Sequence, residues 1–232
     1  MSLENELISV LKSEGADLVK FVDISALPKK RNKKYPIAIL IGIKLSPPYL
    51  QKISNTPHYV EKMKQNGRIK NDEFHLKEIK TDWLADYTAD YLISKGYSAY
   101  SQSEDNIIKT GYYDNKKQKT PLPHKTIALM AGIGWIGKHN LLVNPEFGSA
   151  VSMCTVLTNA PLETVLHSPS ESQCGNCNIC VETCTTEALK GKTWYVGTPR
   201  EDIVDVSLCT TCIECLVQCP WTQAYMKRNL IE

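Results

Sequence analysis

Apolar residues at Leu3, Leu7, Val10 and Leu11 recur at helical spacing and predict a helix over residues 3–14. Ser2 is placed to cap it and Gly15 to end it. "DLVKFVDIS", residues 17–25, reads as a strand. "IAILIGIKL", residues 37–45, is a continuous apolar run, the pattern of a strand buried on both faces. Between them, "ALPKKRNKKYP" reads as a solvated basic loop closed by Pro36. "SPPYLQKISNTPHYV" breaks the pattern with three prolines.

The strongest helix signal covers residues 72–95. Phe74, Leu76, Ile79, Trp83, Leu84, Tyr87, Tyr91 and Leu92 form an apolar stripe there, expected to face a core, and Gly96 ends the run. "YSAYSQ" (97–102) suggests a short strand, "TGYYDNKKQKTPLPH" is turn-rich, and residues 124–131 favour helix. "HNLLVNPEFGSAVSMCTVLTNAPL" reads as two strands joined by a turn at "NPEFGS". From about residue 166 the composition changes and cysteine takes over. The expected division is therefore residues 1–165 and residues 166–232.

The cysteines supply the chemistry. "CGNCNICVETCT" (174–185) and "CTTCIECLVQCP" (209–220) share one spacing, C-x2-C-x2-C-x3-C. Disulfides suit small secreted domains, and nine cysteines is an odd number. Zinc usually takes two CxxC pairs separated by a longer loop. A redox dithiol needs only one CxxC. The spacing is that of the bacterial ferredoxin run, in which the fourth cysteine ligates the neighbouring cluster. By that rule Cys174, Cys177, Cys180 and Cys219 hold one 4Fe–4S cluster. Cys209, Cys212, Cys215 and Cys184 hold the other. Thr185 stands where the run expects proline, a position that shapes the chain but is not a ligand. Cys154, in an apolar β-branched stretch, is expected to be a buried, inert thiol.

The chain has 232 residues, 42% of them hydrophobic, enough for one sizeable core and a small module. Its 27 basic and 25 acidic residues give a net charge of +2, which carries no strong pull toward nucleic acid or acidic surfaces. The longest apolar run, Ile37–Ile43, is far short of the roughly 20 residues of a membrane span. The first residues lack the apolar core of an export signal. Together with thiolate clusters, this points to the cytoplasm and away from a membrane.

Gly132-Ile-Gly-Trp-Ile-Gly137 matches the dinucleotide fingerprint letter for letter. The fingerprint needs a strand before it, a helix after it and an acid about 20 residues on. Here a helical segment precedes, a strand follows, and no acid lies between Phe147 and Leu162. Two explanations of the glycines stay open. One is a loop pressed against a large planar ligand, with Trp135 as a face and Lys138, His139 and Asn140 as donors. The other is a tight helix-to-strand turn with Trp135 in the core.

"HKTIALMAGIGWIGKHNLLVNPEFGSAVSMCTVLTNAPL", followed by the doubled cysteine run ending "CPW", resembles the epoxyqueuosine reductase family. It is similar, more distantly, to the reductive dehalogenases. Both are cobalamin-dependent iron–sulfur reductases. The resemblance covers about residues 3–225 and is sharp from His124 to Trp221. It implies an α+β fold: a nitroreductase-like α/β sandwich that buries a corrinoid, followed by a ferredoxin-like double-cluster module. It implies that the corrinoid lies against Gly132, Gly134, Trp135, Ile136, Gly137, Lys138, His139 and Asn140. The family's proton-donating acid, from an Asp-Tyr-His triplet, maps onto Glu73 of Glu73-Phe74-His75. Family members are longer and carry a C-terminal helical repeat region that contacts tRNA. The shorter chain and balanced charge weigh against a tRNA substrate.

Two classes of function follow. One is a reductase that takes electrons from reduced ferredoxin or flavodoxin, passes them through both clusters to cobalamin, and reduces a small or nucleoside-like substrate. Glu73, Tyr112 or Tyr113 would supply the proton. The other is an electron-transfer or corrinoid-handling protein without substrate chemistry, with a flavin-binding relative as a further variant.

Overall fold

The computed structural model describes residues 2–230; Met1, Ile231 and Glu232, at the ends of the two expected domains, lie outside them. The strands are β1 Leu18–Asp23, β2 Ile37–Lys44, β3 Ala99–Ser101, β4 Trp135–Ile136, β5 Leu142–Val143 and β6 Val151–Thr158. The helices are α1 Leu3–Ser13, α2 Lys29–Asn32, α3 Pro47–Ser54, α4 Tyr59–Gln65, α5 Glu73–Ser94, α6 Glu104–Lys109, α7 His124–Met130, α8 Ile179–Glu182, α9 Glu214–Val217 and α10 Pro220–Arg228.

The chain forms two units that alternate along the sequence. The first comprises residues 1–43, 77–132 and 152–168; the second comprises 44–76, 133–151 and 169–232. The change of composition near residue 166 falls beside the last of these passages.

In the first unit, four strands run in the order β1-β2-β6-β3. β1 and β2 are antiparallel, with Phe21 opposite Ile39, and β3 and β6 are antiparallel, with Tyr100 opposite Leu157. β2 is buried along nearly all its length, as its unbroken apolar run predicts. Leu7 and Leu11 of α1, Ile39 and Ile41 of β2, Leu84 and Leu92 of α5, and Val156 of β6 form one core. Ser2 caps α1 by accepting from the Asn5 N–H, and Gly15 (φ 98°) and Gly96 (φ 90°) turn the chain out of α1 and α5. Cys154 lies fully buried in this core.

α5 presents a different face to the core from the one expected. Leu84 and Leu92 point inward beside Thr81, Ala85, Thr88 and Ala89. Ile79, Trp83 and Tyr87 are exposed, with Trp83 stacked on Tyr87 at 5.5 Å. Small residues let a helix approach closely, so the inner face is set by size rather than by bulk hydrophobicity. The basic stretch also differs from an open loop. It contains α2, whose Asn32 is buried and donates to the carbonyls of Ile24 and Leu27.

The second unit contains a stretch read as irregular that is helical. Pro47 and Pro48 stand in the first turn of α3, where a missing N–H breaks no helical bond. Ser46 caps that turn by accepting from the Tyr49 N–H. α10 packs on α3 and α9. β4 and β5 make an antiparallel hairpin, Trp135 opposite Val143, entered directly from the glycine segment. α7 directly precedes the glycines, where the dinucleotide fingerprint requires a strand.

Candidate functional site

The two cysteine runs lie in the second unit. Cys174, Cys177, Cys180 and Cys219 line one cavity of about 110 Å³, together with Lys138, His139 and Trp221. These are the four thiols that the lending rule assigns to one cluster. Cys180 and Cys219 are buried. Burial, then the charges of Cys174, Cys219 and Cys177, push the Cys180 thiol up to about 11. The other set is centred on Cys215. Burial, then Cys212, Cys180, Cys209 and Cys184, push its thiol well above the ordinary range. Cys180 therefore stands electrostatically between the two quartets. Cys209 is exposed, so the second quartet is the one nearer solvent.

Local backbone shapes these loops. Thr211 and Ile213, on either side of Cys212, both adopt φ 56°. β-branched residues rarely enter the left-handed region, and such strain persists where a site over-determines it. The amides of Trp221 and Thr222, at the start of α10, donate toward the Cys219 sulfur and oppose the effect of its burial. Burial likewise opposes the hydrogen bonds at Cys184, where the Thr186 hydroxyl and the amides of Leu189, Ala188 and Thr186 together bring the thiol below its ordinary range. Donors aimed at sulfur favour the thiolate that a cluster requires.

Among the described residues, no three His, Cys, Asp or Glu side chains are arranged to hold a single metal ion. A single zinc draws its thiolates to about 2.3 Å from one point. A cubane is held at its corners, so thiols lining a cavity suit it.

The glycine segment is explained by the chain itself. A Cβ at Gly134 would meet the Val143 carbonyl oxygen at 2.1 Å, and one at Gly137 would meet the His139 ring at 2.6 Å. Gly132, in the first unit, has φ 68° and lies against the His167 ring. On the side a Cβ would occupy, Gly134 and Gly137 are met by the chain's own atoms, so close packing alone requires glycine at both. Trp135 is 1% exposed and meets Trp221 edge-on at 5.0 Å, in a cluster that includes Cys219. Ile136 is buried in β4, and Asn140 (φ 65°) turns the hairpin. His139 is buried and its Nε2 meets the Ser149 hydroxyl at 3.2 Å. Lys138 is buried and donates to Asn178 at 2.9 Å. Thus Lys138 and His139 are brought to the cysteine cavity, while Gly134, Gly137 and Trp135 build the hairpin that carries them.

Glu73 is occupied by Ser46. One carboxylate oxygen accepts from the Ser46 N–H and the other from its hydroxyl, both at 2.6 Å. The sequence reading passed over its neighbour. Asp72 is buried, accepts from the Tyr49 hydroxyl at 2.5 Å and from the Phe74 N–H, and its second oxygen has no hydrogen-bond partner. In the sequence it is simply the first residue of the helical stretch 72–95. Tyr112 is buried and its hydroxyl donates to the Arg31 carbonyl, which fits an ordinary structural aromatic.

The fold and the cysteine runs place the chain beside one class of protein, the epoxyqueuosine reductases and reductive dehalogenases. No protein-family model matches it. The chain is similar to the epoxyqueuosine reductase of Synechococcus sp. (strain CC9605), 44% identical over 71 residues, 31% of this chain and 22% of that protein. It is 26% identical to that of Bacillus subtilis over 212 residues, 81% of this chain and 51% of that protein. The chain thus spans about half, or less, of the curated relatives it matches. The solved B. subtilis epoxyqueuosine reductase shares the fold with a TM-score of 0.56 and 19% identity, over 96% of this chain and 66% of that one. A catabolic reductive dehalogenase shares it with a TM-score of 0.62 and 17% identity, over 93% of this chain and 31% of that one. The resemblance read from the sequence is therefore found in both sequence and fold.

Proposed function

We propose that the chain is an iron–sulfur oxidoreductase of the epoxyqueuosine reductase type. It passes electrons through two 4Fe–4S clusters to a cobalamin, which reduces a small or nucleoside-like substrate. The observation that carries this reading is the convergence of Cys174, Cys177, Cys180 and Cys219 on one cavity. In this reading residues 166–232 carry the cluster ligands as the ferredoxin-like part, completed by residues 44–76 and 133–151 of the same unit, and the remainder of residues 1–165 is the nitroreductase-like part.

When bound, the clusters supply one-electron transfer and the corrinoid supplies the reducing metal. The chain's own residues do the rest. Cys209 is the exposed thiol, so reduced ferredoxin or flavodoxin delivers electrons on its side. Cys180 adjoins the second quartet and gives the short step inward. Trp135 and Trp221 cover Cys219 and keep water from the inner quartet. Glu73 is the family-derived candidate for the proton, although Ser46 holds both its oxygens.

One epoxyqueuosine reductase has been solved with an epoxyqueuosine-modified tRNA-Tyr stem loop. Its partner is a candidate for this chain, set against a near-balanced charge that gives weak attraction to phosphates. No helix among the described residues is long and apolar enough to cross a membrane.

The second reading is an electron-transfer or corrinoid-handling protein, or a flavin-binding relative. The glycine packing supports it, since contacts within the chain suffice to explain Gly134 and Gly137. Anaerobic reconstitution with iron, sulfide and hydroxocobalamin separates the two. About eight irons and one retained cobalt per chain support the reductase; about eight irons without cobalt support the carrier.

A further inference from the structure

Lys138 is 6% exposed and lines the cavity of Cys174, Cys177, Cys180 and Cys219. Its ammonium donates to the side-chain oxygen of Asn178 at 2.9 Å. Asn178 follows Cys177 directly, so the cation is tethered to the loop that carries three of the four thiols. The amide is neutral, and no carboxylate pairs with Lys138 among the described residues. A buried ammonium without an anion is strongly unfavourable, and an amide dipole compensates it only in part. The anionic groups that share its cavity are the four sulfurs.

We propose that Lys138 is the fixed counter-charge of the cluster held by Cys174, Cys177, Cys180 and Cys219, and that it raises this cluster's reduction potential above that of its neighbour. The inference rests on the iron–sulfur reading given above. A cubane ligated by four thiolates is net negative, and reduction adds one electron and one further negative charge. A nearby buried cation attracts the reduced form more strongly than the oxidised form, and low local dielectric preserves that difference. Among the described residues that line the groove beside Cys212 of the second quartet, no buried lysine stands like Lys138. That groove, of about 640 Å³, has Lys64 as its cation, and Lys64 is exposed and screened by water. Electrons from a low-potential one-electron donor therefore enter at the outer cluster and settle on the inner one. Lys138 is a positioning residue for charge and takes no part in bond making.

The test is an anaerobic redox titration, followed by electron paramagnetic resonance, of reconstituted wild type, Lys138→Met and Lys138→Arg, each with its iron content. Lys138→Met is expected to lower the midpoint of one cluster by about tenfold in electron partition, about 59 mV for one electron. The other midpoint stays in place, and Lys138→Arg stays near wild type. Loss of one cluster in Lys138→Met but not in Lys138→Arg also supports the counter-charge. Melting the iron-free proteins gives a second readout, in which Lys138→Met is the more stable. Full iron with both midpoints unmoved in Lys138→Met overturns this inference alone. Wild type that takes up no iron overturns the cluster reading and the inference with it.

Discussion

Gly148 lies directly against the backbone of Thr222. A Cβ at residue 148 would meet the Thr222 nitrogen at 2.3 Å, and Gly148 itself adopts φ 61°. The next residue, Ser149, donates its N–H to the Thr222 hydroxyl at 2.9 Å. Thr222 is in the first turn of α10, three residues after Cys219. Gly148→Ala therefore combines left-handed strain with overpacking and is expected to cost about 3 kcal/mol. Urea denaturation measures the loss, and iron analysis should show weaker retention at the Cys219 cluster. A variant as stable and iron-rich as wild type would remove this contact from the support of the site.

The lending of the fourth ligand has its own signature. Cys219→Ala and Cys184→Ala should each lose about four irons per chain, from different clusters. The cluster that survives in Cys219→Ala should be the more exposed one, reducible by a protein donor. Loss of the same cluster in both variants would contradict the assignment.

Asp72 and Glu73 hydrogen-bond at two joints of the second unit. Tyr49→Phe removes the donor to Asp72 and leaves the buried carboxylate with the Phe74 N–H, for a cost of about 2 kcal/mol. Glu73→Gln weakens its grip on Ser46 and the start of α3, for about 1–2 kcal/mol. Thermal melts check both. If Glu73 only holds Ser46, turnover of the Gln variant falls no further than its folded fraction. A far larger fall would assign it the proton.

His124 predicts a pH dependence of the first unit. Burial lowers its ring from 6.5 to about 4, and its Nδ1 meets the Thr155 hydroxyl at 3.0 Å. The unfolded chain takes up this proton first, so stability is full above pH 6.5 and is lost as pH falls toward 4. The residue as a whole is only partly buried, so the loss is discounted to about 2 kcal/mol. Urea midpoints between pH 7 and 4.5 should fall less steeply in His124→Gln. Equal slopes would show that His124 does not control the decline.

The parts of the fold legible in the sequence were those written in local pattern. β2 is legible from an unbroken apolar run, α1 and α5 from their periodicity and closing glycines, and the meeting of Cys174, Cys177, Cys180 and Cys219 at one cavity from spacing alone. α3 is hidden in the sequence because Pro47 and Pro48 look like helix breakers, whereas Ser46 just ahead of them makes that turn a helix start. The inner face of α5 was misread because Trp83 and Tyr87 outweigh Ala85 and Ala89 in any count of apolar bulk. Asp72 could not be singled out, since its partner Tyr49 stands 23 residues away. For the glycines, the sequence left two readings open. The contact of Gly134 with Val143 depends on a hairpin that no single residue announces.

The alternation of the chain between its units has a consequence for biosynthesis. The ribosome delivers residues 44–76 long before residues 169–232, yet both belong to the second unit. Its first two segments must wait, incomplete, until the last cysteine has emerged, and such distant closures slow folding. On the iron–sulfur reading proposed above, the inner quartet is complete for metal only late, since Cys219 arrives 45 residues after Cys174. A protease cut after Ser168 would release one of the three segments of that unit, not a free-standing ferredoxin.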